Sequence, residues 1–392
     1  MSTGTDNGAS GVIVIGGGIG GLATARSLQR AGVAVRVYER APDLSRVQVG
    51  GGFHLWTNAM RALRELGLDD RAGEIGAPIE RTEYRTKQGE LLALWPVGEL
   101  AREHGVPDLG VNRRDLHRML AESLDEGTVE LGRELTDFRE EGDGVVARFA
   151  DGSQARAAAL VGADGLRSRV RAALHGPEAP RFAGYTQWQT TMEDPGDLLS
   201  AGTEQVVFGP ASRAILHHVG GGELFWAGVI YGPEGGAMDQ REGRKQRLLE
   251  HFLDWRSAIA AAIADTPEER IVGLDIYDRP PAKAWGTGRT TLVGDAAHAM
   301  TTNLSQGGCQ ALEDSVVLGR CLGGGGDVPT ALRTYERRRI PRTRALVKRS
   351  RRVSEVGAWQ RPAACAARNR VLGQVLSGPG LADHRKFVAA PL

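Results

Sequence analysis

Three groups of residues in this chain have the types and spacing to do chemistry. Gly16, Gly18 and Gly21 form G-x-G-x-x-G, with Ile19 and Gly20 between them. In such a run the first glycine permits a tight turn and the second lets the backbone approach a pyrophosphate. The third lets a helix pack closely on a strand. Glu39 follows at the spacing of an acid that accepts from a ribose hydroxyl. Such an acid favours an adenosine with a free 2′-hydroxyl, as in FAD or NAD, over NADPH; Arg40 beside it leaves that point open.

The second group is "GADGLRSRVR", where Asp164-Gly165 taken alone is an ordinary turn. The third is "LVGDAAHAMTTNLSQGGCQALED". It puts Asp295 at the end of an apolar run and Gly307-Gly308 at the start of a helical one. Backbone N–H groups at a helix start carry about half a positive charge, suited to negative charge on a reduced flavin ring. The two glycine regions are then two ends of one long ligand. The pyrophosphate lies at Gly16 to Gly21 and the flavin ring near Ser305 to Cys309. Cys309, Cys321 and Cys365 have neither metal nor disulfide-framework spacing, and no metal site is expected.

The elements that must position these residues can be read from periodicity. "GVIVI" is a β-branched run that suits a strand buried on both faces of a parallel sheet. A helical "GLATARSLQRAG" and a strand-like "VAVRVYER" complete one βαβ unit ending at Glu39. Further helices are expected at Asn58 to Leu68, Asn112 to Leu124 and, as one piece, Arg241 to Ile263. The runs "TEYRT", "YTQWQTTM", "EQVVFG", "AILHHV" and "ELFWAGVIY" read as strands of one mostly antiparallel sheet. The expected class is α/β: a Rossmann-like FAD-binding domain, an inserted antiparallel substrate domain and C-terminal helices. The FAD-binding pieces are 8–81, 101–181 and 279–328. The substrate pieces are 82–100 and 182–278, and the helical tail is 329–392.

With 392 residues, 41% hydrophobic content and a net charge of +1, the chain suits two cores and no nucleic-acid partner. The basic stretch Tyr335 to Arg352 reads as a solvated helix face with ion pairs. "MSTGTDNGAS" reads as a floppy start. No leader and no membrane-spanning run are visible, so a cytoplasmic location without integral membrane contact is expected.

In this order and spacing, "GGGIGGLATARSL", "GADGLRSRVR" and "LVGDAAH" resemble the fingerprints of the class A flavoprotein monooxygenases, which include para-hydroxybenzoate and salicylate hydroxylases. "GGFHLWTNAMRALRELGL", "NRRDLHRML", Trp285 and "YERRRIPRTRALVKRSR" extend the likeness over roughly Gly11 to Arg352. The resemblance implies tightly but non-covalently bound FAD, reduced by NADH or NADPH. It implies a flavin C4a-hydroperoxide that hydroxylates or epoxidises a hydrophobic aromatic or polyketide-like molecule. Partners are then a small aromatic or polycyclic substrate and molecular oxygen. By the same resemblance, Gly16, Gly18, Ile19, Gly20, Gly21, Glu39 and Arg40 hold the ADP half. Arg113 and Asp295 hold the ribityl and phosphate region, and Gly307 and Gly308 meet the flavin ring. Asp164 and Arg167 belong to the motif that touches both FAD and the pyridine nucleotide. A flavin oxidase, halogenase or oxidative cyclase on the same scaffold is an alternative. So is a non-oxidising flavoprotein that binds a reactive intermediate.

The family places substrate between the flavin and the middle sheet. Gln187, Gln189, His217, Trp226 and Val229 are candidate liners, with His54 and Thr302. His54, Gln189 and His217 are the candidate catalytic groups, and no base is singled out. Thr302 stands where the family has proline, Ser305 where it has glycine, and Thr57 where proline is frequent. The retained Asn303, Gln306 and Gly307 favour a Thr302 that already adopts proline's φ and would tolerate that residue; the alternative is a repurposed loop in which its N–H or hydroxyl is bonded to flavin, water or substrate, a bond that proline would break.

Overall fold

An apolar run without alternation needs cover on both faces, and Val12–Ile15 has it: the strand is buried throughout. In the computed structural model, which describes residues 10–47, 51–239 and 242–392, this strand centres a five-stranded sheet. The order is Thr290–Leu292, Ala159–Gly162, Val12–Ile15, Val35–Glu39, Val129–Leu131. Every pair in it is parallel. Helix Ile19–Arg30 returns the chain between the third and fourth strands and packs along helix Gly307–Gly323. Residues 1–9 lie outside the described residues; on them fall the expected domain start at 8 and all but the last residue of the stretch read as a floppy start.

A seven-stranded sheet forms the second layer. Its order is Val272–Asp278, Arg181–Glu193, Glu223–Tyr231, Ser212–His218, Thr203–Gly209, Arg81–Thr86, Leu91–Trp95. Only the Thr203–Gly209 pairing with Arg81–Thr86 is parallel. Strands from two separated stretches of chain thus share one sheet. The register fixes its two faces, because residues directly opposite point the same way. Gln187 faces Val229, which faces Arg213, which faces Phe208. Gln189, Ala227, Ile215, Val206 and Tyr84 form the next row on that face. Trp188, Leu216 and Trp226 point to the opposite face, under helices Arg244–Phe252 and Ile259–Asp265.

Those two helices replace the single one expected from Arg241 to Ile263; Arg241 itself lies outside the described residues. The break comes where Trp255 turns back into the core against Phe252, with ring centroids 4.8 Å apart. Burying the indole outweighs the helix propensity of the intervening residues. A small sheet of Gly52–Leu55, Leu109–Asn112 and Gly76–Pro78, which the sequence does not announce, bridges the two layers.

The tail is helical: Val328–Gly357, Pro362–Ser377 and Pro379–Ala389. Its basic stretch is only partly a solvated face, because Arg339 is buried. Arg339 donates to Asp314 Oδ1 at 2.7 Å and also reaches Glu313. Arg342 and Asn58 donate to Glu313, and His298 Nε2 lies 2.6 Å from Asp314. Burial works against both carboxylates, yet Arg339, with His298 on Asp314 and Arg342 on Glu313, holds them below the usual range. A buried charge cluster of this kind fixes orientation more than it adds stability. Here it registers the Gly307–Gly323 helix against two neighbours, and so aims that helix's N-terminus.

Candidate active site

The glycine loop between Ile15 and Ile19 opens on a cavity of about 360 Å³ lined by Gly16, Gly18, Glu39, Arg40, Asp164 and Arg167, among others. Gly16 has φ +108°, a conformation that only glycine adopts without strain. A Cβ on Gly21 would strike the Gly16 carbonyl, whereas one on Gly18 would meet nothing within 4 Å. The loop is therefore tight on its protein side and open towards the cavity. Ile19 is buried, so only its backbone can face a ligand, and Gly20 packs towards Ala311.

Two acids of this cavity already have protein partners. Glu39 accepts from Gly17 N at 2.7 Å and from Ala41 N at 2.8 Å, which shapes the loop; each oxygen keeps a further lone pair. Asp164 accepts from the Ser168 hydroxyl and from Arg169 N and Val170 N, and so caps the start of helix Arg169–His175. Burial raises its pKa, against those bonds. His117, not singled out by the sequence, lies with Nε2 2.7 Å from the Gly17 carbonyl. Burial lowers its pKa, so it is a neutral donor that props the loop from behind.

Asp295 is the exposed residue in a run otherwise buried from 291 to 300. Such isolation marks a carboxylate aimed into a cleft. Arg113, exposed at the start of helix Arg113–Glu122, feels its charge. The surrounding protein lowers the Arg113 pKa, and Asp295 works against that lowering. A Cβ on Gly307 would have Asp295 Oδ1 as a nearest neighbour at 3.9 Å, so that helix start is open. Gly308 is covered by the Phe53 ring.

A second cavity, about 220 Å³, lies between the large sheet and the C-terminal helices. Trp56, Tyr84, Trp95 and Phe208 make aromatic walls, Arg213 and Glu204 are its buried charges, and the 302–306 loop closes one end. Thr302 lines it. Gln187, Gln189, Val229 and His217 share the inner sheet face but lie outside its lining. Trp226 does not join them. It is buried on the far face, where its indole donates to Thr266 Oγ1 at 2.9 Å. The register requires this: Trp226 pairs with Thr190, which alternation puts on the face opposite Gln187 and Gln189. The same parity, once the register is known, puts Arg213 and Glu204 on the inner face as well. The lining from Arg349, Leu376, His384 and Phe387 had no sequence signal.

Behind this cavity sits a charged chain. His54 Nδ1 is 3.1 Å from Glu204 Oε1, Thr82 donates to Glu204 Oε2, and Thr57 donates to Asp108. His54 Nε2 is 3.6 Å from Asp108, beyond a hydrogen bond. Burial disfavours the His54 cation, but Glu204 and then Asp108 push its pKa up to about 9. Burial likewise opposes Glu204, whose pKa His54 brings down to about 2. His217 goes the other way, to about 4, because burial outweighs the Glu204 charge. Near neutral pH, then, His54 is charged and His217 is not. Gln189 is an amide that donates and accepts but takes no proton.

The loop at the cavity's end departs from the expectation for Thr302. Its N–H donates to the Tyr185 hydroxyl at 3.2 Å and its Oγ1 donates to Gln187 Oε1 at 2.7 Å. Proline can make neither bond, so tolerance of proline there is not what the structure supports. Ser305 has φ +51°, the left-handed conformation that a glycine would take at less cost.

This architecture has known counterparts. A family model described as an FAD binding domain matches residues 9–350. Aurachin C monooxygenase/isomerase of Stigmatella aurantiaca is 38% identical over 366 residues, spanning 93% of this chain and 94% of that one. The 6-hydroxynicotinate 3-monooxygenase of Pseudomonas fluorescens is 33% identical, spanning 89% and 91%. The crystal structure of Klebsiella pneumoniae HpxO with FAD and uric acid superimposes with TM-score 0.89 at 28% identity, over 97% of this chain and 96% of that one.

Proposed function

We infer the function from one premise: this chain belongs to the FAD binding domain family and is an FAD-dependent monooxygenase. Its substrate is a small, largely apolar aromatic or polyketide-like molecule, which it hydroxylates or epoxidises. The observation that carries this reading is the placement of the aromatic-walled cavity. It ends on the 302–306 loop, and that loop runs straight into the open helix start at Gly307 beside Asp295. Relatives named for 6-hydroxynicotinate and for urate support a small ring system.

The residues fit FAD. The open face at Gly18 leaves room for a pyrophosphate, and the isolated Asp295 carboxylate can accept from ribityl hydroxyls. Arg113 would neutralise phosphate, and the Gly307 helix start would face the ring's carbonyl edge. When bound, FAD supplies the redox chemistry, taking electrons from NADH or NADPH and delivering oxygen to the substrate. The protein's own part is to position the substrate and exclude water. The aromatic walls and C-terminal helices exclude water, and the 302–306 loop, tied to Tyr185 and Gln187, fixes the reacting end.

The purified protein should be yellow and contain FAD. A panel of small aromatics should stimulate NADH or NADPH oxidation and yield a product with one added oxygen atom. Failure to take up FAD would overturn the reading. Tight ligand binding with no flavin reduction by either nucleotide would favour the non-oxidising flavoprotein instead.

A further inference from the structure

Arg339 and Arg368 are equally buried, each 2% exposed, yet their surroundings differ. Arg339 meets two carboxylates, Glu313 and Asp314. Arg368, on helix Pro362–Ser377, meets none among the described residues. Its Nε and Nη2 donate to Asn369 Oδ1 at 3.1 and 3.0 Å, and its Nη1 donates to the Gly209 carbonyl at 3.0 Å. Three bonds to neutral oxygens leave two of its five N–H groups over. Burial lowers its pKa, and the groups that oppose the lowering, Cys365 and Tyr231, are not carboxylates. The Phe208 ring, 5.8 Å away, gives weak cover. A buried cation with hydrogen bonds but no counter-charge is costly to keep.

Arg368 lines a third cavity, of about 750 Å³, between its helix and the chain at 86–92 and 208–210. Lys87 and Arg370 also line it. Lys87 is paired with Asp254 at 2.6 Å, and Arg370 is exposed on the rim. Among the described residues Glu90 is the one acid of the lining, and it is exposed. Leu91, Leu92 and Pro210 supply apolar wall. Helix Pro362–Ser377 divides this cavity from the aromatic-walled one. Its Leu372 and Leu376 line the latter, and Phe208 lines both, but the two share no charged residue.

We propose that this cavity is an anion site separate from the active site. It takes a small amphipathic molecule whose phosphate or carboxylate group meets Arg368 and whose apolar part lies along Leu91 and Phe208. A guanidinium suits either oxyanion, because both present paired oxygens to its N–H fork. A soluble organic anion and a phospholipid headgroup both carry this chemistry. The site does not depend on what the aromatic-walled cavity binds.

The test uses the FAD-loaded protein and three probes: hexyl phosphate, hexanoate and hexan-1-ol. Affinities are read by isothermal titration calorimetry. A charge-assisted hydrogen bond corresponds to a preference of about tenfold or more for at least one of the two anions over the alcohol. Arg368→Met should erase that preference, whereas Arg213→Met, in the aromatic-walled cavity, should keep it. Arg370→Gln gives an independent check should Arg368→Met melt early. It changes an exposed side chain and should weaken the preferred anion by about two- to fivefold. Sedimentation with phosphatidylglycerol but not phosphatidylcholine vesicles, abolished by Arg368→Met, would assign the anion to a lipid headgroup. Anion binding without sedimentation would assign it to a soluble molecule. A wild type that prefers neither anion to hexan-1-ol would overturn the proposal and leave Arg368 a tie between helix and strand turn. So would a preference lost in Arg213→Met and kept in Arg368→Met, which would put the anion in the active site.

Discussion

Thr302 uses both groups that a proline lacks. Its N–H and hydroxyl join the flavin-side loop to Tyr185 and Gln187 on the large sheet. Residues 302–304 form a 3-10 turn, so proline's φ fits; the missing bonds do not. Thr302→Pro should cost about 1–3 kcal/mol through the partners left bare. FAD content should hold while product formed per NAD(P)H consumed falls; unchanged coupling would show the network to be incidental. Asp295 presents the opposite case, exposed and flanked by buried residues. Asp295→Ala should leave the melting temperature of the apoprotein unchanged. It should weaken FAD binding about ten- to a hundredfold, the loss expected for a charged hydrogen bond of about 1.5–3 kcal/mol. Equal FAD affinity in an equilibrium titration would remove Asp295 from the cofactor site.

At the scale of elements, the glycine loop separates folding from binding. Gly18 caps the helix start with φ −76° and ψ −179°, an extended conformation that valine also adopts, and its Cβ position is open. Gly18→Val should therefore give a soluble protein that melts like wild-type apoprotein and holds no FAD. Gly21→Ala, by contrast, would drive a methyl into the Gly16 carbonyl. It should destabilise the apoprotein itself, by about 1–3 kcal/mol as overpacking does. Thermal melts of both apoproteins decide this. Equal destabilisation would mean the loop is strained on both sides.

Across the whole molecule, the His54–Glu204 pair joins the small bridging sheet to the large one. The His54 pKa is raised from 6.5 to about 9, so the stabilisation that goes with it is full below pH 6.5 and is lost as pH rises through 9. Glu204 is depressed to about 2, so on the acid side the pair weakens only as pH falls from its usual range towards that value. A tenfold change in proton affinity corresponds to about 1.4 kcal/mol. Unfolding free energy should therefore drop by up to about 3 kcal/mol between pH 6.5 and 9. Denaturant titrations at the two pH values should show a much smaller drop in Glu204→Gln. An identical drop in both proteins would assign the pH dependence elsewhere.

Local sequence determined the nucleotide end. The turn at Gly16, the close packing at Gly21 and the strand–helix–strand order around them follow from glycine's missing Cβ and from periodicity. All of that lies within one stretch of chain. Alternation correctly put Gln187 and Gln189 on one sheet face, and it already excluded Trp226 from that face once the register was known. The aromatic cavity was a tertiary decision. Its walls come from Trp56, from strands at Tyr84 and Arg213, and from His384 near the C-terminus, residues with no fixed spacing between them. Their meeting depends on how the sheets and C-terminal helices pack. The pKa values of His54 and His217 were decided in the same way. The two imidazoles are chemically alike and equally buried; contact with Glu204, helped by Asp108, drives His54 to about 9, while at His217 burial outweighs Glu204 and takes it to about 4.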